Sequence, residues 1–250
     1  MTAQVQSNEK MLSDVKQPAI EIGAEVDPSW KGFYLAGGIS AILYVLLGLA
    51  IPTVQVLTMG YFSSTAEYSG IEFLQFIAEN RFWWLFVQTV VLGTSIFAIV
   101  AFIALYLALK HLNKSLAALG AVVAVTCHIL FLAYYPVLLG TIYLSDRYGA
   151  ASPDQQILIG AAAEGLMAIN NAFNPLYESL FGISILFFSL VMLKGVFHKS
   201  VAYLGIMICP ASLIALALWP VLGVTYFWWW ALFVIWFLAV GWKLYRLGKA

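Results

Sequence analysis

The sequence predicts an all-α chain: a polytopic integral membrane protein of six transmembrane helices, with short interfacial helices in its two long outer loops. Three observations carry this. Of 250 residues, 63% are hydrophobic and 10% charged, with a mean hydropathy of +0.92. Soluble domains lie nearer ~45–50% apolar, so lipid must cover the excess. Six apolar runs each approach or exceed the roughly 20 residues needed to cross about 30 Å of hydrocarbon, and charge collects between the runs. Backbone groups in lipid must bond within their own segment, which selects helices over open strands.

Residues 1–31 are polar and mixed in charge, without the apolar core of a signal peptide. They read as an uncleaved, partly disordered cytoplasmic tail. The membrane domain occupies 32–247, with runs near Phe33–Gln55, Phe82–Leu109, Leu116–Leu144, Pro175–Leu193, Val201–Val221 and Thr225–Leu244, and 248–250 end the chain. Runs two and three exceed the need, so they tilt or project. Tight turns at Lys110–Lys114, at Lys194–Lys199 and near Gly223 set runs two and three, four and five, and five and six side by side. The two long segments, 56–81 and 145–174, are the outer loops. TAEYSGIEFLQFIAENRFWW in the first predicts a short interfacial helix. Pro153–Asn171 predicts a second, with Pro153 near its start and Asp154 in its first turn.

Charge sets the orientation. With both termini inside, the cytoplasmic segments carry Lys10, Lys16, Lys31, Lys110, Lys114, Lys194, Lys199, Lys243, Arg246 and Lys249, against Arg81 and Arg147 outside. Ten against two is a strong positive-inside bias. It predicts a multi-pass protein of the cell inner (cytoplasmic) membrane with both termini cytoplasmic. The outer segments are acidic instead, with Glu67, Glu72, Glu79, Asp146, Asp154 and Glu164.

A short motif recurs. Lys-Ser-x-Ala-x-Leu-Gly stands at Lys114–Gly120 and again at Lys199–Gly205. Ser115 and Ser200 suit the N-caps of the following spans, although any basic turn before a small-residue span satisfies much of this pattern. A basic turn followed by a small-residue span, twice, within six helices that end in an aromatic span and a basic tail, resembles a bacterial family of uncharacterised polytopic proteins. That family is known only as a domain of unknown function (number four-three-eight-six). The resemblance covers roughly Phe33 to Lys249 and is strongest over Arg81–Gly205. It implies a six-helix membrane fold and supplies no catalytic residues. GGISAILYVLLG in the first run and LAALGAVVAVTC in the third read as helix-packing surfaces.

The candidate site is the polar start of run four. Glu164, Asn171 and Glu178 are spaced by seven, and Asn171, Asn174 and Glu178 by three and four, so they share a helix face if Pro175 only kinks the helix. Glu178 lies 16 residues before Lys194, roughly 24 Å from the inner turn at 1.5 Å per residue, in the outer hydrocarbon. His128 lies 14 residues after Lys114, roughly 21 Å up by the same rise. Gln55, Gln88, Tyr134 and Tyr135 also reach the outer half. One reading is an outward-open pocket in which Glu178 accepts a proton or cation and His128 is its partner. The other is a carboxylate near the headgroups, bonded to Tyr and Asn and packing run three on run four.

Other chemistry is sparse. His111 and His198 sit in inner turns, too far from His128 for a bis-His haem, and a His–Glu pair falls short of a zinc ligand set. Cys127 and Cys209 lie inside apolar runs and form no CxxC. Trp228, Trp229 and Trp230, with Trp83 and Trp84, read as an interfacial aromatic belt or as contacts with a partner or isoprenoid. GxSxG, HExxH, Walker and GxGxxG signatures do not occur in a fitting context. The leading expectation is a non-catalytic accessory or scaffold subunit of a larger membrane complex. The alternatives are a small proton-coupled transporter using Glu178, or a quinone-, lipid- or pigment-binding membrane protein. No cofactor is predicted, while a bound lipid or quinone stays open. Expected partners are membrane lipids and other membrane subunits or further copies of the chain, and no long basic run suggests nucleic acid.

Overall fold

The computed structural model describes residues 26–59, 68–218, 221 and 229–250. The tail through residue 25, Glu67, the turn at Gly223, the beginning of the sixth run with Trp228, and the Gln55 side chain lie outside the described residues. A 3-10 turn, Pro28–Trp30, leads into α1 (Lys31–Met59). There follow α2 (Gly70–Glu79), α3 (Arg81–Leu109), α4 (Lys114–Gly149), α5 (Pro153–Met192), α6 (Lys199–Ala217) and α7 (Trp230–Lys249). All but α2 are long and apolar enough to cross a membrane.

Local chemistry fixes the helix starts. Ser69 and Glu72 form a reciprocal capping box at α2. At α5 the Gln155 side chain accepts from Ser152 N at 3.2 Å, and Pro153 takes the first helical position, where its missing N–H costs nothing. The caps of α4 and α6 are not Ser115 and Ser200. They are Asn113, which accepts from Leu116 N at 3.1 Å, and His198, whose Nδ1 accepts from Ser200 N at 3.3 Å. The extended backbone that a cap requires falls at 113 and 198, so both serines are already helical. Pro52, Pro136, Pro175 and Pro210 all lie inside helices and end none of them. The α5–α6 turn holds Gly195 at φ 132° and Val196 at φ 67°, the latter a left-handed conformation rare for a β-branched residue.

α1 packs between α3 and α7, α4 bridges α3 and α5, and α6 lies on α5. α7 touches α6 but rests chiefly on α1. Glycine makes that contact close: a Cβ at Gly38 would lie 2.5 Å from Tyr245 N and 2.7 Å from the Gly241 carbonyl, so the α1 and α7 backbones meet directly. The sequence repeat proves to be a packing device. Ala117 and Ala202 are fully buried. A Cβ at Gly120 would press on the Phe188 ring at 3.1 Å, and one at Gly205 would overlap Ser189 Oγ. α4 and α6 therefore clasp successive residues of α5 with the same Ala/Gly step.

The two longest helices set the architecture at the α4–α5 turn. α4 has 36 residues and α5 has 40, or about 54 and 60 Å against a hydrocarbon layer of about 30 Å. The helix expected over 153–171 is present, but it is one piece with span four, because Pro175 does not break it. The Gly149 end of α4 and the Pro153 end of α5 thus form a hairpin longer than a hydrocarbon layer requires, and α2 docks against it. Phe73, Ile77, Trp84 and Met167 form a small separate core there. Ser145 Oγ donates to the Leu74 carbonyl at 2.8 Å, and Arg81 pairs with Asp146.

Candidate functional site

The polar residues at the start of span four divide between two levels. Glu164 belongs to the outer hairpin: its Oε1 accepts from Gly70 N at 3.2 Å, holding the first N–H of α2. That contact needs glycine at 70, since a Cβ there would overlap the Gly160 carbonyl. Asn171 and Asn174 lie exposed on the same outer stretch of α5. Asn170, which the spacing argument did not single out, is tied inward: its Oδ1 accepts from Tyr134 OH at 3.0 Å. Glu178 is half-buried, 14 residues further along than Glu164, or about 21 Å at the helical rise. Glu164 and Glu178 therefore do not share a pocket.

His128 is fully buried at the centre of the bundle. Its Nδ1 lies 2.8 Å from the Ala124 carbonyl, an acceptor only, so Nδ1 carries the proton and Nε2 is the acceptor. Tyr177 OH donates to that Nε2 at 3.3 Å, and the Tyr44 hydroxyl approaches that of Tyr177. Both imidazole nitrogens are thus engaged, and the partner of His128 is Tyr177 rather than Glu178. The two residues are adjacent on α5 and point about 100° apart around the helix. Rings enclose the imidazole: Phe181 at 5.5 Å, Tyr177 at 5.7 Å, Phe102 at 5.8 Å and Tyr44 at 6.3 Å between centroids. These rings come from three helices, α1, α3 and α5. Phe102, Phe181, Phe233 and Phe237 fill the surrounding space and are all buried.

Tyr177 and Tyr44 were missed in the sequence. A signal for Tyr177 was present: Phe173, Tyr177 and Phe181 recur every four residues and lie along one side of α5. In the structure they form a ladder, with Tyr134 stacked on Phe173 at 4.6 Å and Tyr177 stacked on Phe181 at 5.9 Å.

The tryptophans also divide. Trp83 is 38% exposed beside the 69% exposed Phe82, as belt residues are. Trp84 turns inward onto Phe73 in the outer core, and Trp229 is buried in the main one. Trp230 is partly buried against Phe233. Trp84 and Trp229 are therefore packing residues and offer no surface to lipid or a partner.

One surface of the outer hairpin is apolar and uncovered. Leu158, Ala161, Ala162, Gly165, Ala168, Ile169, Ala172 and Leu176 recur at three- and four-residue steps, so they share one face of α5. All eight are exposed, with Leu158 at 71% and Ile169 at 50%. The opposite face, with Gly160, Ala163 and Met167, is buried under α2 and α4. Compared with protein-family models, curated proteins and solved structures, the chain matches none.

Proposed function

We propose that this chain is a non-catalytic accessory or scaffold subunit of a larger membrane complex. Its place would be the cell inner membrane, with both termini cytoplasmic and the α4–α5 hairpin outside. The observation that carries this reading is the filled interior. At the level of His128, the space between the helices holds Tyr44, Phe102, Phe181 and Phe237, each at most 6% exposed, where a carrier needs a path. What the chain extends beyond the lipid is a helical platform, α2 docked on the α4–α5 hairpin, suited to contact rather than chemistry. The orientation rests on the ten basic residues assigned to the inner side against two outside.

The test is purification from native membranes in a mild detergent, with co-eluting proteins identified by mass spectrometry. Stoichiometric membrane partners are expected. Elution without any other protein would sink the accessory reading. A second reading, a small proton-coupled carrier, draws on the half-buried Glu178 one residue from Tyr177. Unchanged transport in the host after Glu178→Gln would count against it.

A further inference from the structure

We propose that the outward side of α7 binds a lipid of net negative charge, its phosphate held by Arg246 and Lys249. Ala231, Ile235, Leu238, Trp242, Arg246 and Lys249 recur at steps of three and four, so they lie on one side of the helix. All six are exposed among the described residues, while Phe233, Phe237 and Leu244 on the opposite side are buried in the main core. Along the chain, the exposed side runs from aliphatic groups to an indole and then to a guanidinium and an ammonium. A phospholipid has the same order: acyl chain, interface, charged headgroup. The lengths agree as well. Ile235 to Lys249 is 14 residues, about 21 Å at the helical rise, and one leaflet with its headgroups is about 20–22 Å.

The basic end of this side is fixed in place. Trp242 stacks on Tyr245 with ring centroids 6.0 Å apart and planes at 18°. Lys249 Nζ lies 4.8 Å from the centre of the Tyr245 ring. The Tyr245 backbone is in turn pressed against α1, where a Cβ at Gly38 would lie 2.5 Å from its nitrogen. An ammonium seated on a ring keeps its charge and its N–H donors, and Arg246 adds a planar fork that fits phosphate.

Charge decides the class of occupant. Even with the whole tail counted, the ten basic residues gathered at this end meet five acidic ones, Glu9, Asp14, Glu21, Glu25 and Asp27. Ten less five leaves an excess of five positive charges. The one ion pair among the described residues, Arg81 with Asp146, is at the opposite end. On α7 the last-turn carbonyls supply about half a negative charge, and a carboxylate at Ala250 would supply one more. Against Lys243, Arg246 and Lys249, that leaves more than one positive charge to be met from outside. A zwitterionic headgroup brings its own ammonium beside the phosphate. An anionic one does not, and each cation near an anionic surface is worth roughly five-fold in affinity. The aliphatic and indole groups next to the cations favour a lipid over a free anion.

The test is native mass spectrometry of the full chain, released from detergent with equal amounts of phosphatidylglycerol and phosphatidylcholine of matched acyl chains. Wild type is expected to retain phosphatidylglycerol over phosphatidylcholine by roughly twenty-fold, five-fold for each of two cations. Arg246→Gln combined with Lys249→Gln should bring that ratio close to one. Both side chains are exposed, so the fold survives, and an unchanged thermal unfolding midpoint checks this. Lys114→Gln, at the start of α4 between α3 and α5, should keep the wild-type ratio. Equal retention of the two lipids by wild type, an unchanged ratio in the double variant, or a comparable loss in Lys114→Gln overturns the inference. Inorganic phosphate that displaces phosphatidylglycerol at equal concentration means that a free anion is bound, and overturns it too. The accessory reading fails separately. Partner subunits without a lipid preference remove the lipid site alone, and a lipid preference without partner subunits removes the accessory role alone.

Discussion

Tyr177→Phe isolates what the buried polar pair contributes. Phenylalanine keeps the ring contacts with Phe131 at 4.9 Å and Phe181 at 5.9 Å, and it deletes only the hydroxyl. His128 Nδ1 is already committed to the Ala124 carbonyl, so the ring cannot turn over to rescue Nε2 without losing that bond. Nε2 then loses its donor and the Tyr44 hydroxyl loses its Tyr177 partner, both enclosed by aromatic rings. Leaving such a group unmet costs about 1–3 kcal/mol, more than the net worth of the bond itself. His128→Leu removes the acceptor instead. The double variant removes both polar groups, so its cost should fall below the sum of the singles by about 1 kcal/mol or more. Reversible unfolding in mixed micelles, followed by tryptophan fluorescence, measures all three. Additive costs, or a Tyr177→Phe cost below about 0.5 kcal/mol, would refute the hydrogen-bonded pair.

Four further outcomes follow from the packing and the caps. Gly205→Ala should destabilise by about 1–3 kcal/mol, because the methyl overlaps Ser189 Oγ and Trp236 Nε1 in a filled junction. Gly120→Ala, which meets a Phe188 ring edge at 3.1 Å, should cost less, and the reverse order in the same unfolding assay contradicts the clasp around α5. Glu164→Ala should speed hydrogen exchange across Gly70–Ile77 by an amount equivalent to about 0.5–2 kcal/mol, with Glu164→Gln retaining most of the protection. Hydrogen bonds from the Ser69 backbone and side chain hold the Glu72 carboxyl below its ordinary value of 4.5. A lowered value stabilises α2 above pH 4.5 and the effect is lost on acidification through the folded value, so protection of α2 should decline there in the wild type and not in Glu72→Gln. Val196→Asn should stabilise by about 1 kcal/mol, since asparagine tolerates the left-handed region. No gain would mean that the Val196 packing offsets the strain.

The spans were legible because their signals are local. Apolar length, basic turns and breaks near 110–114 and 194–199 each depend on a few adjacent residues, and the helix ends at those two turns fall within two residues of the expected runs. What escaped depends on rotation about helix axes and on competition between signals. Pro175 reads as the start of a span, yet α5 passes through it. Depth placed His128 level with Glu178, but azimuth gave its nitrogen to Tyr177. Trp84 and Trp229 fit a belt by position, and only the neighbouring helices determine that they turn inward. Ser115 and Ser200 carry the right side chains for caps, but Asn113 and His198, two residues earlier, take the extended backbone. The repeat was visible as letters. Its meaning, an equal step on either side of one helix, required α5 between α4 and α6.

A 40-residue helix gripped near one end and free along one flank at the other is a lever. Its Ala/Gly grip, Ala117 and Gly120 from one side and Ala202 and Gly205 from the other, sits within the last turns before Lys194, so most of α5, with α2 and the far end of α4 packed on it, is the long arm. A 10° tilt carries the tip about 10 Å, at 1.5 Å per residue. The short arm ends on Gly195 and Val196, where the backbone already sits away from its minimum. A load on the far end of α5 would reach that turn, and linkage would make the relation two-way. Whatever loads the tip biases the turn, and whatever grips Lys194 and Lys199 biases the tip. Altered hydrogen exchange across Gly70–Ile77 in Val196→Asn, far from α2 itself, is the signature of that lever, and unchanged exchange means that the two ends move independently.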